Sequence, residues 1–203
     1  MANVAVIGAS GNVGSRIIKE LSDRGHSVTT IARDSSKITE LPNVTATAGD
    51  VAQPDALAAI LKGHDAIVST VRFADVTAAQ MLDIVRKSGV SRYLVVGGAG
   101  SLEVAPGKKL IDTPEFPEAY KAEAGAGSVF LDELRGADDL EWTFLSPSAM
   151  FIPGERTGTF RLGKDTLLAN DEGSSISFED YAIALVDEIE TPANIRARFT
   201  VGY

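Results

Sequence analysis

Residues 8–14, GASGNVG, constrain this chain more than any other stretch. They follow the apolar run NVAVI and lead into a segment with apolar residues at 13, 17, 18 and 21, the spacing of one helix face. Each glycine has a separate task. Gly8 lets the chain turn sharply off a strand, Gly11 leaves room for a pyrophosphate, and Gly14 lets the following helix pack close to the strand. A helix beginning near Asn12 and Val13 aims its free N–H groups and positive dipole end at that place, and Ser10 adds a hydroxyl donor. Strand, glycine turn and helix in this order give the context that a dinucleotide-binding loop requires.

The rest of the chain keeps that rhythm. Strands are expected at 3–8, 27–32, 44–49, 65–71 and 92–98, and helices at 12–25, 54–63 and 75–89. Alternation of this kind predicts an α/β Rossmann fold, a doubly wound parallel sheet with helices on both faces. After Gly98 the pattern changes. Residues 99–117 form a loop with three prolines, followed by a helix over 118–136 and a strand over 140–147. The stretch 154–171 reads as a glycine-turned hairpin, 177–190 as a helix started by Ser177 and Asp180, and 198–203 as a last strand. With no linker or repeat in its 203 residues, the chain reads as one NAD(P)-binding domain, 1–203, with a small C-terminal elaboration on the substrate side.

Composition narrows the partners. The net charge of −9 argues against nucleic acid and anionic membrane surfaces, while local donors can still hold an anionic cofactor. There is no cysteine, so disulfides and thiolate metal sites are excluded, and His26 and His64 stand apart from any ligand pattern. The N-terminus lacks a signal-peptide pattern, and no apolar run approaches the ~20 residues of a membrane span. The expectation is a cytoplasmic protein, monomer or homodimer, acting on a small molecule without a metal.

The end of the second strand separates the two nicotinamide nucleotides. An acidic residue there accepts from a ribose 2′-hydroxyl and repels a 2′-phosphate. Here the strand runs into Arg33, nineteen residues after Gly14, whose guanidinium can fork onto a phosphate. NADP(H) is therefore expected, with NAD(H) still possible because Asp34 is adjacent. Asp50 and Val51 follow the third strand, near the adenine. Ser69, Thr70 and Val71 end the fourth, Gly98 and Ala99 the fifth, and Pro147 and Ser148 the sixth. In an open α/β sheet these carboxyl ends line the ligand crevice.

GASGNVG, Arg33, GDV at 49–51, GGAGSL at 97–102 and LSPSAMFIPGERTG at 145–158 together resemble the atypical short-chain dehydrogenase/reductases. The resemblance covers essentially the whole chain. It is greatest to the NAD(P)H-flavin reductases, which are related to the flavin reductase/biliverdin reductase B group and to NmrA-like proteins. It implies hydride transfer from a nicotinamide to a flavin-like or quinone-like acceptor, with flavin as a substrate rather than a tightly held group. Typical members of the wider superfamily use a tyrosine with a lysine four residues later as the proton donor. Tyr120 is present here, but position 124 is alanine, and Lys121 points about 100° around the helix from it. Tyr120 then lines the pocket without acting as an acid, and Ser101 is the candidate donor to the acceptor. Phe116, Met150 and Phe151 are candidates for an apolar wall. The missing lysine also motivates a second reading, an NmrA-like redox sensor that binds NADP(H) without turnover; a third, a nucleotide-sugar epimerase or dehydratase, ranks last because the tyrosine–lysine pair is missing and the C-terminal region leaves little room for a substrate domain.

Overall fold

The computed structural model describes residues 1–203. The first half alternates strands and helices: β1 (Asn3–Ile7), α1 (Asn12–Asp23), β2 (Ser27–Ala32), β3 (Val44–Ala48), α2 (Pro54–Leu61), β4 (Ala66–Ser69), α3 (Ala78–Ser88) and β5 (Arg92–Val96). The second half contains β6 (Glu103–Ala105), β7 (Lys108–Lys109), α4 (Glu118–Leu134), β8 (Glu141–Pro147), β9 (Met150–Ile152), β10 (Arg161–Gly163), β11 (Ser175–Ser177), α5 (Phe178–Glu190) and β12 (Ala197–Gly202). No helix is long and apolar enough to cross a membrane.

Eight strands form the main sheet in the order β10-β12-β8-β5-β4-β1-β2-β3. All neighbours pair in parallel except β10, which runs antiparallel to β12 at the edge. The Rossmann architecture follows from the two-residue period of buried strands. Ala5, Ile7 and Ile67 face a layer built with Leu57 and Leu61 of α2, Met81 and Val85 of α3, and Phe130 and Leu134 of α4. Val4, Val6 and Val68 face the opposite layer, with Ile17 and Leu21 of α1 and Tyr181 and Leu185 of α5. Central strands buried on both faces read as continuous apolar runs, as these do.

Helix ends follow local chemistry. Thr77 and Gln80 make a reciprocal capping box at the start of α3, and Gly89 ends that helix at φ 76°. Ser177 accepts the Asp180 N–H at 3.0 Å, so α5 starts where the sequence places it.

Two expectations need correction. Residues 154–171 do not form a hairpin. Their strand, β10, pairs with β12, Arg161 opposite Gly202, and the 153–160 stretch is held by side chains instead. Arg156 donates two hydrogen bonds of 2.8 Å to buried Glu20, and Asp180 accepts from the Thr157 hydroxyl and the Gly158 N–H. The 99–117 stretch is not bare loop either. It contains the β6–β7 ribbon and is fastened to residues 165–167 by Glu103 N–H to Asp165 O and Leu167 N–H to Glu103 O.

Candidate functional site

The strand order reverses between β1 and β4, the place where open α/β sheets form a ligand crevice. Gly8 leaves β1 at φ +85° and donates to Ile31 O at 2.9 Å. A Cβ on Gly14 would stand 2.7 Å from the Gly8 carbonyl oxygen and 2.9 Å from the Ala9 Cα, so α1 sits hard against the turn. A Cβ on Gly11 would meet nothing nearer than the Gly8 oxygen at 3.4 Å, so the outer face of this turn is open. Gly11 caps α1 without a side-chain bond, leaving the first-turn amides of Asn12 and Val13 uncapped beside exposed Ser10. A bare cradle of amides at a helix start is the donor set that a pyrophosphate needs.

Thr70 stands just past the end of β4, on the wall of the ligand crevice. Its hydroxyl is turned inward, 2.8 Å from Gly8 O and 3.1 Å from Ile7 O. In this way it braces the glycine turn from beneath. Ser69 is also turned away. It is buried and accepts the Tyr93 hydroxyl at 3.1 Å. Burial pushes the Tyr93 phenol up, with the Ser69 hydrogen bond opposing it.

At the end of β2, Arg33 is exposed and makes no ion pair or hydrogen bond. Asp34 is occupied: one oxygen accepts the Ser36 hydroxyl at 2.6 Å and the Ser36 N–H at 3.2 Å, capping a 3₁₀ turn over Ser35–Lys37. The Ser36 hydroxyl, ahead of the backbone bond, holds the Asp34 carboxyl below its ordinary value. The acidic residue is thus folded into its own turn and the arginine is left free. Beyond β3, Asp50 also caps a turn, accepting the Ala52 N–H at 2.9 Å with one oxygen, while Val51 packs against the apolar layer.

Past the carboxyl ends of β4, β5 and β8 opens a cleft of about 560 Å³. Val71, Gly98, Ala99, Ser101 and Pro147 line it, as their positions at strand ends imply. Phe116 and Met150 add apolar surface; Phe151 reaches the cleft too, but its ring packs on Phe178 and Tyr181 at 4.7 Å. Ser148 lines the cleft as well. Its buried hydroxyl donates to Val201 O at 3.1 Å, with Leu168 O at 3.4 Å, and a Cβ on Gly202 would stand 2.1 Å from its oxygen.

Tyr120 and Ala124 sit one turn apart on α4 and both line the cleft. Tyr120 is 65% exposed and its hydroxyl has no partner. Lys121 faces away, paired with Glu118 at 2.7 Å. Ala124 abuts Gly100, where a Cβ would come within 2.7 Å of its own. No cationic side chain therefore reaches Tyr120 from this helix. Glu123 on the same helix accepts the N–H groups of Phe73 and Ala74 at 2.8 and 2.9 Å, tying α4 to the segment after β4.

One neighbour of the cleft escaped the sequence reading. Arg198 of β12 is buried, paired with Asp165, and donates to the Ser101 hydroxyl oxygen at 3.1 Å. The available signal was alternation: Phe199 and Val201 face the α1–α5 layer, so Arg198 and Thr200 face the other side. His26 and His64, by contrast, are structural: His26 accepts the Ala2 N–H at 3.1 Å, and His64 bridges Leu61 O and the Thr29 hydroxyl.

Comparison with known proteins agrees with this geometry. A family model described as NAD(P)H-binding matches residues 8–192. The uncharacterized protein YwnB of Bacillus subtilis is 43% identical, over 98% of this chain and 97% of its own. A Bacteroides thetaiotaomicron structure described as a "putative epimerase" is 41% identical, covers 100% of this chain and 97% of its own, and superposes with a TM-score of 0.94. A Streptococcus pneumoniae structure described as a "putative NADH-flavin reductase" is 35% identical, with 100% and 99% coverage and a TM-score of 0.86.

Proposed function

The chain belongs to the NAD(P)H-binding family, an oxidoreductase-type group with an atypical short-chain dehydrogenase/reductase-like Rossmann fold, and we propose that it is an NADPH-dependent reductase of flavins, quinones or similar planar acceptors. Residues 1–203 act as one domain in this reading, and the acceptor comes and goes as a substrate. The observation that carries it is the apolar-walled cleft beside the glycine turn, in which Ala124 occupies the place of a lysine that would activate Tyr120.

The amides at the start of α1 and the Ser10 hydroxyl hold the pyrophosphate, and Thr70 keeps the turn in shape for it. Arg33 takes the 2′-phosphate, which its freedom and the engagement of Asp34 support. Asp50 and Val51 flank the adenine. Gly98, Ala99, Pro147 and the Ser148 backbone place the nicotinamide against the cleft. When bound, that ring supplies a hydride to the acceptor. The cleft residues then have two tasks: Phe116 and Met150 keep a flat ring parallel to the donor, and Ser101 offers it a hydrogen bond. Reduction of an extended π-system spreads the arriving charge over many atoms, so the remaining proton can come from water without a dedicated acid. Reduction of an isolated carbonyl, or epimerisation, needs a proton-transfer group that Tyr120 alone does not make.

The test is NADPH oxidation by the purified protein with riboflavin, FMN and a quinone, repeated with NADH. Turnover with any of these supports the reading. Tight NADPH binding without turnover overturns it in favour of a redox sensor, and turnover with NADH only overturns the nucleotide assignment. The name of the S. pneumoniae relative, which couples NADH to flavin, makes that last comparison necessary.

A further inference from the structure

We infer that Arg198 is a positioning residue that, braced by Asp165, presents the Ser101 hydroxyl hydrogen to the acceptor; this rests on the reductase reading above. Six residues with hydroxyl side chains are among those that line the cleft: Thr70, Ser101, Thr113, Tyr120, Ser128 and Ser148. Four of them already donate to backbone carbonyls: Thr70 to Gly8, Thr113 to Leu110, Ser128 to Ala124 and Ser148 to Val201. Tyr120 keeps its hydrogen but nothing fixes it. Ser101 alone has both a fixed oxygen and an uncommitted hydrogen. Its oxygen accepts from Arg198 Nη1 at 3.1 Å, and Nη2 of the same guanidinium lies 3.5 Å from its carbonyl oxygen. A serine hydroxyl has one hydrogen and two lone pairs. With one lone pair taken by a cation, the hydrogen is directed elsewhere and made a stronger donor.

The ion pair is not the only fastening of this part of the chain. The Arg198 side chain is 4% exposed, and its partner Asp165 is 57% exposed. The loop carrying Asp165 is already fastened through backbone bonds to Glu103, so an apolar pair could fill the same space. What an apolar pair could not do is polarise Ser101. As hydride reaches the acceptor, charge accumulates on its ring nitrogen or carbonyl oxygen. The Ser101 O–H meets that atom, with the guanidinium charge behind it, while the balancing proton comes from water and Ser101 never ionises. The acceptor class is thereby narrowed to planar rings with such an atom beside the position of attack, as in an isoalloxazine or a quinone.

A double-mutant cycle tests this with NADPH and riboflavin. Ser101→Ala is expected to lower kcat about 10- to 100-fold and to leave the NADPH dissociation constant unchanged. Arg198→Met should cost a similar factor, the double variant should be no worse than the poorer single, and Arg198→Lys should recover most of the loss. Asp165→Asn, at an exposed position, repeats the test should Arg198→Met not fold, with a smaller loss that disappears in the Ser101→Ala background. Losses that multiply, or a Ser101→Ala variant with the wild-type kcat, overturn the inference while wild-type turnover upholds the reductase reading. A wild-type protein that reduces no planar acceptor overturns both.

Discussion

At the residue scale, the site separates groups that face a ligand from groups that hold the facing groups in place. Arg33 and Thr70 make the contrast measurable. Arg33 is free and exposed, so Arg33→Ala should weaken NADPH binding by about 10- to 100-fold, roughly 1.4–2.7 kcal/mol, and leave NADH binding as it was. Equal effects on the two nucleotides in a fluorescence titration would remove the 2′-phosphate assignment. Thr70 hangs the glycine turn from its hydroxyl, which donates to Gly8 O. Thr70→Val keeps the shape and deletes that bond, so both nucleotides should weaken together, by about 1 kcal/mol. Selective loss of one would show that Thr70 touches the nucleotide directly. Tyr120 gives the third case. Its hydroxyl has no partner and no cation beside it, so Tyr120→Phe should leave kcat within about twofold, where a working general acid would cost about 10²-fold or more.

At the scale of elements, the α1–α5 contact is stitched with charge as well as apolar packing. Arg24, the residue that ends α1, pairs with Asp187 and Glu190 of α5, both at 2.7 Å, and Arg16 of α1 with Glu179 at 2.9 Å. Glu20 in the middle of α1 gathers Arg24 and Arg156, so one carboxylate anchors the 153–160 stretch to the helix. Burial by itself would raise the Glu20 carboxyl, but the hydrogen bonds from Arg156 and Arg24 outweigh it and hold it below its ordinary value. A lowered carboxylate contributes stability above its unfolded pKa and loses it as pH falls through the folded one. Glu20→Gln should therefore cost about 1–2 kcal/mol at pH 7, and denaturant melts of variant and wild type should converge below about pH 4. A gap that stays constant down to pH 3 would mean that shape, not charge, makes the contact.

The same scale explains what was legible in the sequence. Central strands buried on both faces announce themselves as apolar runs, the edge strand β3 by its β-branched residues, and the helices between them by their apolar spacing, so β1 to β5 and α1 to α3 could be placed closely. β10 could not, because its partner β12 lies over thirty residues further on and pairing between distant strands leaves no local period. The site divides along a similar line. GASGNVG and Arg33 carry their chemistry in residue type and spacing. Ser69 and Ser148 were placed correctly at strand ends, but which way a hydroxyl points depends on its neighbours: Tyr93 claims one and the Val201 carbonyl the other. Arg198 reaches Ser101 only because β12 returns beside β8, a fact of topology rather than of pattern.

For the whole molecule, ion-paired carboxylates and buried phenols limit the pH range of stability from opposite sides. On the acid side, Glu20, Glu179 and Glu190 behave alike. Burial would raise each carboxyl, but Arg16 outweighs it at Glu179, and His26 and Arg24 at Glu190. All three favour the folded state above the ordinary carboxylate range and cease to do so as pH falls below it. On the alkaline side stand two fully buried phenols. Burial pushes Tyr93 and Tyr181 above the usual tyrosine value, against the opposing bonds that each makes. A raised pKa contributes stability that is complete below the unfolded value, about 10, and drains away as pH rises towards the folded one. The unfolded chain then binds fewer protons than the folded chain, and each tyrosine removes about 1.4 kcal/mol per pH unit. Melting temperature should therefore be flat from about pH 5 to about pH 9 and decline on both sides. Tyr93→Phe isolates one contribution, since it keeps the ring in the apolar layer and leaves the Ser69 hydroxyl free to turn. Its stability above pH 10 should fall less steeply than that of the wild type, by about one proton's worth of slope. An alkaline limb of unchanged steepness would show that the Tyr93 phenol ionises alike in the folded and unfolded chains, and that lysine and arginine pairs at the surface set the upper limit instead.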